Sequence, residues 1–484
     1  MGLLEAFLEQ KGKEYAPFDT KRVHRIYAVL KPHLEELYAQ SAKSKKDLES
    51  LIPQSKERCS FSTQNKPFII HILGTNGKGS TGRFITLGLA QNGYKVLHFT
   101  SPHLFRFNER FYLANIPNSD LSAKSGSANS SKKDCAKDCG NAHKGTHRIA
   151  DDSELEKAHL WLQRFPIIEQ SSYFEYATFL ALYLAKDCDY FVCEAGLGGE
   201  FDSTSVLQAD LSVFTPIGID HEEFLGNTIA SIASTKLRAM GKNVLLSPQR
   251  FPKCKKIAKD IAQEKSANLF EIPKLCNPIT RKQPALSLMQ NFEKYTQNFS
   301  QTFHNTNLKT LDYTFWCGFS DYISKNAYAQ FLQQNIVCAI FALLFCNLRF
   351  DFTTLKPLDL RGRCENFKPN ILLDVGHNIE CAKALKYAIV QKFGKKNVIL
   401  VYNTYFDKAV LEILGILKPV ISEVLILKVK NERIIDKVEL EKILDNLELR
   451  YSDFAPAKLQ KDCNYVVFGS FSVVAEFLTT QDYK

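Results

Sequence analysis

The apolar run Pro67-Phe-Ile-Ile-His-Ile-Leu73 breaks into Gly74-Thr75-Asn76-Gly77-Lys78-Gly79-Ser80 and resumes as helical text near Thr81–Ala90. A buried strand that passes through a glycine turn into a helix commits a chain to a mostly parallel sheet covered by helices. The turn also carries chemistry. Glycines let successive backbone N–H groups point at phosphate oxygens, the helix start adds partial positive charge, and Lys78 neutralises terminal phosphates. The spelling is shorter than the commonest phosphate loop, with two residues between the first glycine and Gly77-Lys78. A glycine turn that binds nothing is the bland alternative, and the strand-turn-helix context argues against it.

The rest of the chain repeats the alternation. Val96–Phe99, Tyr190–Cys193, Leu211–Phe214 and Val244–Leu246 are short apolar runs bounded by turn residues. Ile371–Leu373, Val398–Val401, Val424–Leu427 and Tyr465–Phe468 form a second set. The expected fold class is therefore α/β. A phosphate-loop ATPase domain with a mostly parallel sheet spans 1–356, and a smaller Rossmann-like α/β domain spans 357–484. Helical periodicity surrounds Val23, Ile26, Tyr27 and Leu30, followed by Lys- and Ser-rich text from Ser41 to Gln64 that reads as an exposed extension. Residues 118–148 are poor in apolar residues and read as a low-complexity surface insertion.

Ligands in such sheets bind beyond the carboxyl ends of the strands. Glu194 closes the run Tyr190-Phe-Val-Cys-Glu194, where phosphate-loop proteins hold magnesium, and the flexible Ala195–Gly199 turn and Asp202 follow it. Asp220-His221 follows the run Leu211–Phe214 in the same way. A strand-end acid on its own is usually just solvated, and a lone histidine is usually structural. Their company with the glycine turn points to a nucleotide and a divalent ion.

The net charge of +10 favours anionic partners without choosing among them. Basic residues do not gather into a stripe with exposed aromatics, so nucleic acid is not an expected partner. No stretch reaches the roughly 20 apolar residues that span a bilayer. The acidic start Met1–Lys11 is unlike a signal peptide. Thirteen cysteines, scattered through apolar runs as Cys193, Cys338 and Cys346 are, read as buried thiols. The expected setting is the cytoplasm.

In this order, HILGTNGKGS, TSPHLFRFNERF, SYFEYATFLALYLA, EAGLGGEFDST, IGIDHEEFLG and LLDVGHN resemble the folylpolyglutamate synthase and dihydrofolate synthase family of Mur-ligase-like amide ligases. The resemblance covers most of Ile69–Leu478 apart from the insertion. It implies ATP-dependent addition of L-glutamate to dihydropteroate, to the γ-carboxylate of reduced folates, or to both, through an acyl phosphate. It implies that Gly74, Thr75, Asn76, Gly77, Lys78, Gly79 and Ser80 hold the nucleotide, with Asn335, Arg363 and Asp374. It implies that Ser101, Glu194 and His221 hold magnesium, two ions in all, and that Lys236 is carbamylated and supports the second. Lys78, Glu194, His221 and Lys236 would then carry the catalysis. Ser172, Tyr173, Phe174 and Glu175 match the pterin-side segment, where an aromatic stacks on the pteridine and an acid accepts its ring N–H groups. Ser172 with Glu175 is equally a capping box for the following helix. His377 and Ser470 match substrate-side positions between the domains, although Gly469-Ser470 is equally a plain strand-to-helix turn. The family is typically monomeric.

The chain departs from the family at Val375-Gly376 and Ile379 around the Asp374-His377-Asn378 motif, at Phe331-Leu332, at Thr235 and at Ser205. A Mur-type cell-wall ligase and a non-catalytic nucleotide-binding regulator are the rival readings. The first usually spells its loop with Lys-Thr-Thr, and the second would not be expected to keep Ser101, Glu194, His221, Lys236 and Asp374 together. Cys135, Cys139, His143 and His147 repeat at a spacing that would align four zinc ligands on a helix. The Ser- and Gly-rich text around them makes disorder the expectation instead.

Overall fold

The computed structural model describes residues 2–12, 19–49, 66–116, 146–275, 277–279, 285–303, 311–394 and 398–481. Its larger sheet is built from β1 (Phe68–Leu73), β2 (Val96–Phe99), β3 (Phe111–Ala114), β4 (His147–Ile149), β5 (Tyr190–Glu194), β6 (Leu211–Phe214), β7 (Asn243–Leu246) and β8 (Asn268–Glu271). The spatial order is β4-β3-β2-β5-β1-β6-β7-β8. All neighbours run parallel except the pairs β2–β3 and β3–β4. β1 therefore sits between β5 and β6, and its apolar residues are needed on both faces. Ile70 and Ile72 join one buried cluster with Tyr190 and Val192 of β5, while Ile69 joins another with Phe191 and Cys193. This two-sided burial is why the run reads as continuously apolar rather than alternating.

Helix Lys78–Gln91 covers the first face together with helix Gln330–Phe345, which is buried along most of its length. Helix Tyr173–Leu184 covers the other face, backed by the N-terminal helices Leu3–Gln10 and Arg22–Glu49. The second N-terminal helix runs on through Ser41–Glu49, the start of the Lys- and Ser-rich text, whose residues 50–64 lie outside the described residues. Tyr38 donates to the Leu182 carbonyl at 2.8 Å and Ser41 to Asp187 at 2.9 Å, which ties this polar stretch to the protein. Thr146–Ile149, at the end of the polar insertion, pairs with β3 through β4.

The smaller sheet contains β9 (Glu365–Lys368), β10 (Ile371–Asp374), β11 (Val398–Tyr402), β12 (Ile421–Ile426), β13 (Tyr451–Asp453) and β14 (Tyr465–Phe468). Its order is β13-β12-β11-β14-β10-β9, with only β9 antiparallel among these strands. Among the described residues, no helix is long and apolar enough to cross a membrane. Cys135, Cys139 and His143 lie outside the described residues. His147 is in β4, where its Nδ1 is 2.9 Å from the Tyr112 hydroxyl.

Candidate active site

The register of the larger sheet sets Ile72 beside Glu194 and Leu73 beside Phe214. The segments that follow β1, β5 and β6 therefore open side by side at the middle of one carboxyl edge. The glycine turn is held down from the β6 side. Thr75 and Asn76 donate backbone N–H groups to the Pro216 carbonyl at 3.0 and 3.3 Å, and Gly218 donates to the Thr75 hydroxyl at 3.0 Å. Gly74 (φ +129°) could not carry a side chain, since a Cβ would fall 2.2 Å from Thr215 Oγ1. Gly77, at φ +88°, ends the turn immediately before the helix, and a Cβ there would stand 3.0 Å from the Asn335 amide.

Behind the turn the polar groups converge. Glu194 accepts from the Thr100 hydroxyl and, at 3.4 Å, from Ser101 N–H, while Lys78 Nζ is 3.8 Å away. A Cβ on Gly79 would lie 3.3 Å from both Glu194 Oε2 and Thr100 Oγ1, and 3.7 Å from Arg363 Nη2. Asn335 donates to Ser80 Oγ at 2.8 Å. Arg363, carried ahead of β9, is half-buried over the Phe471 ring and keeps a buried Nη1 without a hydrogen-bond partner. Burial pulls its pKa down, an effect that Glu194 and Asp374 oppose. A buried guanidinium with an unused N–H beside glycine backbone is suited to an anion.

Asp374 at the end of β10 accepts from Cys364 N–H at 2.9 Å and Gly376 N–H at 2.8 Å. Burial raises its pKa despite those donors. Lys236 is 2% exposed and donates to the Gly74 carbonyl at 3.2 Å. Burial, helped by Lys78, brings its ammonium down to about 7. His221 adopts φ 55° ahead of a short helix, and burial drives its pKa to about 4. His221 is thereby favoured in the neutral form that a metal ligand needs, and the neutral amine of Lys236 becomes accessible near pH 7.

The structure thus gathers Gly74–Ser80, Ser101, Glu194, Asn335 and Arg363 around one cradle, with Lys236 against its first residue. Among the described residues, no three His, Cys, Asp or Glu side chains form a ready-made metal cluster. Glu194 with Thr100 and Ser101 offers oxygen donors of the kind a magnesium ion takes alongside phosphate and water.

The segment Ser172–Glu175, which the resemblance assigns to the pterin side, is heavily engaged within the protein. Ser172 accepts from Glu175 N–H at 3.3 Å and Glu175 accepts from Ser172 N–H at 2.8 Å, so the capping box is formed. Glu175 also receives Arg22 Nε at 2.7 Å in a buried ion pair. Phe174 stacks on Phe99 at 5.8 Å and fills the space beside Gly196. Tyr173 remains half-buried, edge-on to Phe107, with the Arg110 guanidinium 5.6 Å from its ring. Ser470 is fully buried and caps helix Phe471–Thr480 by accepting from Val473 N–H at 3.2 Å. His377 is half-buried, with Nε2 3.6 Å from Asp220 Oδ2.

Sequence reasoning did not single out Thr100, Asn378 or Lys408, and noted Asp220 only as the neighbour of His221. Lys408 closes the polar segment Asn403-Thr-Tyr-Phe-Asp-Lys408 after β11, so the strand-end logic that found Glu194 could have found it. Arg22 had no such signal, because its partner is 153 residues away.

No model of a known protein family matches the chain. A curated protein of Buchnera aphidicola (subsp. Schizaphis graminum), named dihydrofolate synthase/folylpolyglutamate synthase, is 27% identical over 435 residues, covering 86% of this chain and 89% of its own. The crystal structure of Helicobacter pylori folylpolyglutamate synthetase matches over 100% of both chains, with 39% identity and a TM-score of 0.63. The Escherichia coli FolC structure in complex with DHPP and ADP shares the fold at 21% identity, with a TM-score of 0.61 over 99% of this chain and 97% of that one.

Proposed function

Because the chain belongs to the folylpolyglutamate synthase/dihydrofolate synthase family, whose members are ATP-dependent ligases that join glutamate to folates, we propose that it uses both kinds of acceptor. It attaches L-glutamate to dihydropteroate and extends reduced folates at the γ-carboxylate. Curated relatives carry both activities in their names.

The observation that carries the site assignment is the cradle at Gly79, where the carboxylate of Glu194, the hydroxyl of Thr100 and the guanidinium of Arg363 face bare glycine backbone. A carboxylate does not acylate an amine at neutral pH because its oxygen is a poor leaving group. Phosphorylation by ATP cures this by making the acceptor an acyl phosphate. Lys78 and the Nη1 N–H of Arg363 stabilise charge on the phosphoryl oxygens as they move. The loop N–H groups orient the nucleotide, and Asn335 braces the turn through Ser80. The glutamate amine then attacks the acyl carbon, the bond to phosphate oxygen breaks, and an amide forms.

Ser101, Glu194 and His221 would hold the divalent ions, which neutralise charge between the phosphates and the acceptor. Lys236 is the carbamylation site of this reading. Its amine is buried and brought down to about 7, so it reacts with carbon dioxide more readily than an ordinary lysine. The carbamate would replace a cation beside Lys78 with an anion, relieving that repulsion. Labelled bicarbonate should give a carbamate carbon resonance that is absent in Lys236→Arg.

The deciding measurement is ATP-dependent incorporation of labelled glutamate with dihydropteroate and tetrahydrofolate in parallel. Incorporation into both supports the reading. Incorporation into one alone removes the second activity, and none with either removes the assignment.

A further inference from the structure

Asp220, between β6 and the short helix Glu222–Leu225, is where the two sheets' carboxyl edges meet. Its Oδ1 accepts from Lys408 Nζ at 3.0 Å and from His221 N–H at 3.0 Å. Its Oδ2 accepts from Asn378 Nδ2 at 3.2 Å and lies 3.6 Å from His377 Nε2. Lys408, Asn378 and His377 all belong to segments that follow β10 and β11 of the smaller sheet. Asn378 also exchanges a reciprocal pair of amide hydrogen bonds with Asn76 of the phosphate loop, at 3.0 and 3.2 Å.

The side chains of Lys408 and Asp220 are 7% and 8% exposed, and Lys408 completes its pairing with Asp407 at 3.1 Å. Asp407 is in turn held by Arg433 at 3.0 Å. An ammonium buried this deeply needs its carboxylates, and separating the sheets would remove Asp220 from it. The pair is therefore favourable in the arrangement that also joins Asn378 to the phosphate loop and fixes the backbone of His221.

We propose that Lys408 is a positioning residue of the ligase: through Asp220 it locks the smaller sheet against the phosphate loop and His221, and so keeps water from the activated acceptor. The inference rests on the ligase reading above. Lys408 does not touch the reacting atoms. Its loss leaves phosphoryl transfer possible but loosens the alignment that brings glutamate to the acyl carbon. Water then attacks that carbon, the bond to phosphate oxygen breaks, and inorganic phosphate and the original carboxylate are released. The net result is ATP hydrolysis without amide formation.

The test compares the full-length chain with Lys408→Met and Lys408→Arg, using ATP, Mg²⁺, L-glutamate and a tetrahydrofolate or dihydropteroate acceptor. Phosphate released and glutamate incorporated are measured side by side. Wild type should release about one phosphate per amide formed, as the coupled reaction requires. Lys408→Met should raise that ratio roughly threefold or more, with a higher KM for glutamate, because a misplaced reactant competes poorly with water. Lys408→Arg, which keeps the charge, should move both values back toward wild type. Backbone hydrogen exchange should quicken at residues 74–80 and 375–381 in Lys408→Met.

An unchanged ratio and unchanged exchange in a folded Lys408→Met protein overturn the proposal. So does a parallel fall of phosphate and amide, which would place Lys408 in the chemistry itself. If wild type turns over no acceptor, the ligase reading fails, while the exchange comparison still decides whether Lys408 locks the lobes.

Discussion

Replacing Gly77 by alanine probes the phosphate loop through a cost that can be worked from its geometry. Gly77 sits at φ +88° and ψ 3°, a left-handed conformation that an L-residue adopts at a cost of about 1–2 kcal/mol. Its new Cβ would meet both Asn335 amide atoms at 3.0 Å. Asn335 would have to turn, weakening its 2.8 Å bond to Ser80, a further ~1 kcal/mol. The total is about 2–3 kcal/mol. If the loop holds its shape, that amount appears as lost stability. If the loop gives way, its N–H groups misaim and the cost moves into nucleotide binding, about 30- to 150-fold in affinity. Gly93 supplies the control, since it has φ +90° and nothing within 4 Å of an added Cβ. Gly93→Ala should lose about 1–2 kcal/mol of stability from backbone strain alone and bind nucleotide normally. Calorimetric titration with ADP and urea denaturation of both variants separate the two costs. Gly77→Ala that matches Gly93→Ala in both stability and affinity would refute the claim that Asn335 closes on this turn.

Lys78→Ala should abolish both phosphate release and glutamate incorporation while far-UV circular dichroism stays unchanged; normal turnover would remove the lysine from phosphoryl transfer. Arg22→Met should destabilise the protein by about 3–5 kcal/mol, because Glu175 stays buried without its cation. Urea denaturation reads this effect, and a loss confined to acceptor KM would instead place Glu175 against the pterin. Asp374→Asn turns one acceptor oxygen into an N–H donor facing Cys364 N–H or Gly376 N–H, which should cost about 1–3 kcal/mol in local stability or nucleotide affinity. Protection of those two amides from hydrogen exchange should fall, and unchanged protection would count against the hydrogen bonds described.

How far the sequence could be read depended on whether a residue's surroundings are local. β1, β5, β6, β10 and β14 lie inside their sheets, so both faces demand apolar side chains and each strand shows as a mostly apolar run, interrupted by His71 in β1 and Ser212 in β6. Their carboxyl ends were legible for the same reason: Glu194 followed from position, while Asp374 came with the family resemblance. β3 and β4 were not legible, since each is short and residues 117–145 separate them in sequence. Helix Arg22–Glu49 was underestimated because polar text such as Ser41 becomes helical through partners near Leu182 and Asp187, far along the chain.

The site divides along the same line. Ser172 and Glu175 announce a capping box because its parts are three residues apart, but nothing nearby announces Arg22, which supplies the charge that keeps Glu175 buried. Asp220 is the sharper case. Local context marks it only as the neighbour of His221, yet its compensating charge comes from a different sheet, 188 residues later. Periodicity places each residue on its own strand end and carries no information about how two carboxyl edges face each other. The ion pair at Asp220 exists only when they do. It is therefore invisible to a strand-by-strand reading, and for the same physical reason it is sensitive to how the two halves of the molecule are aligned.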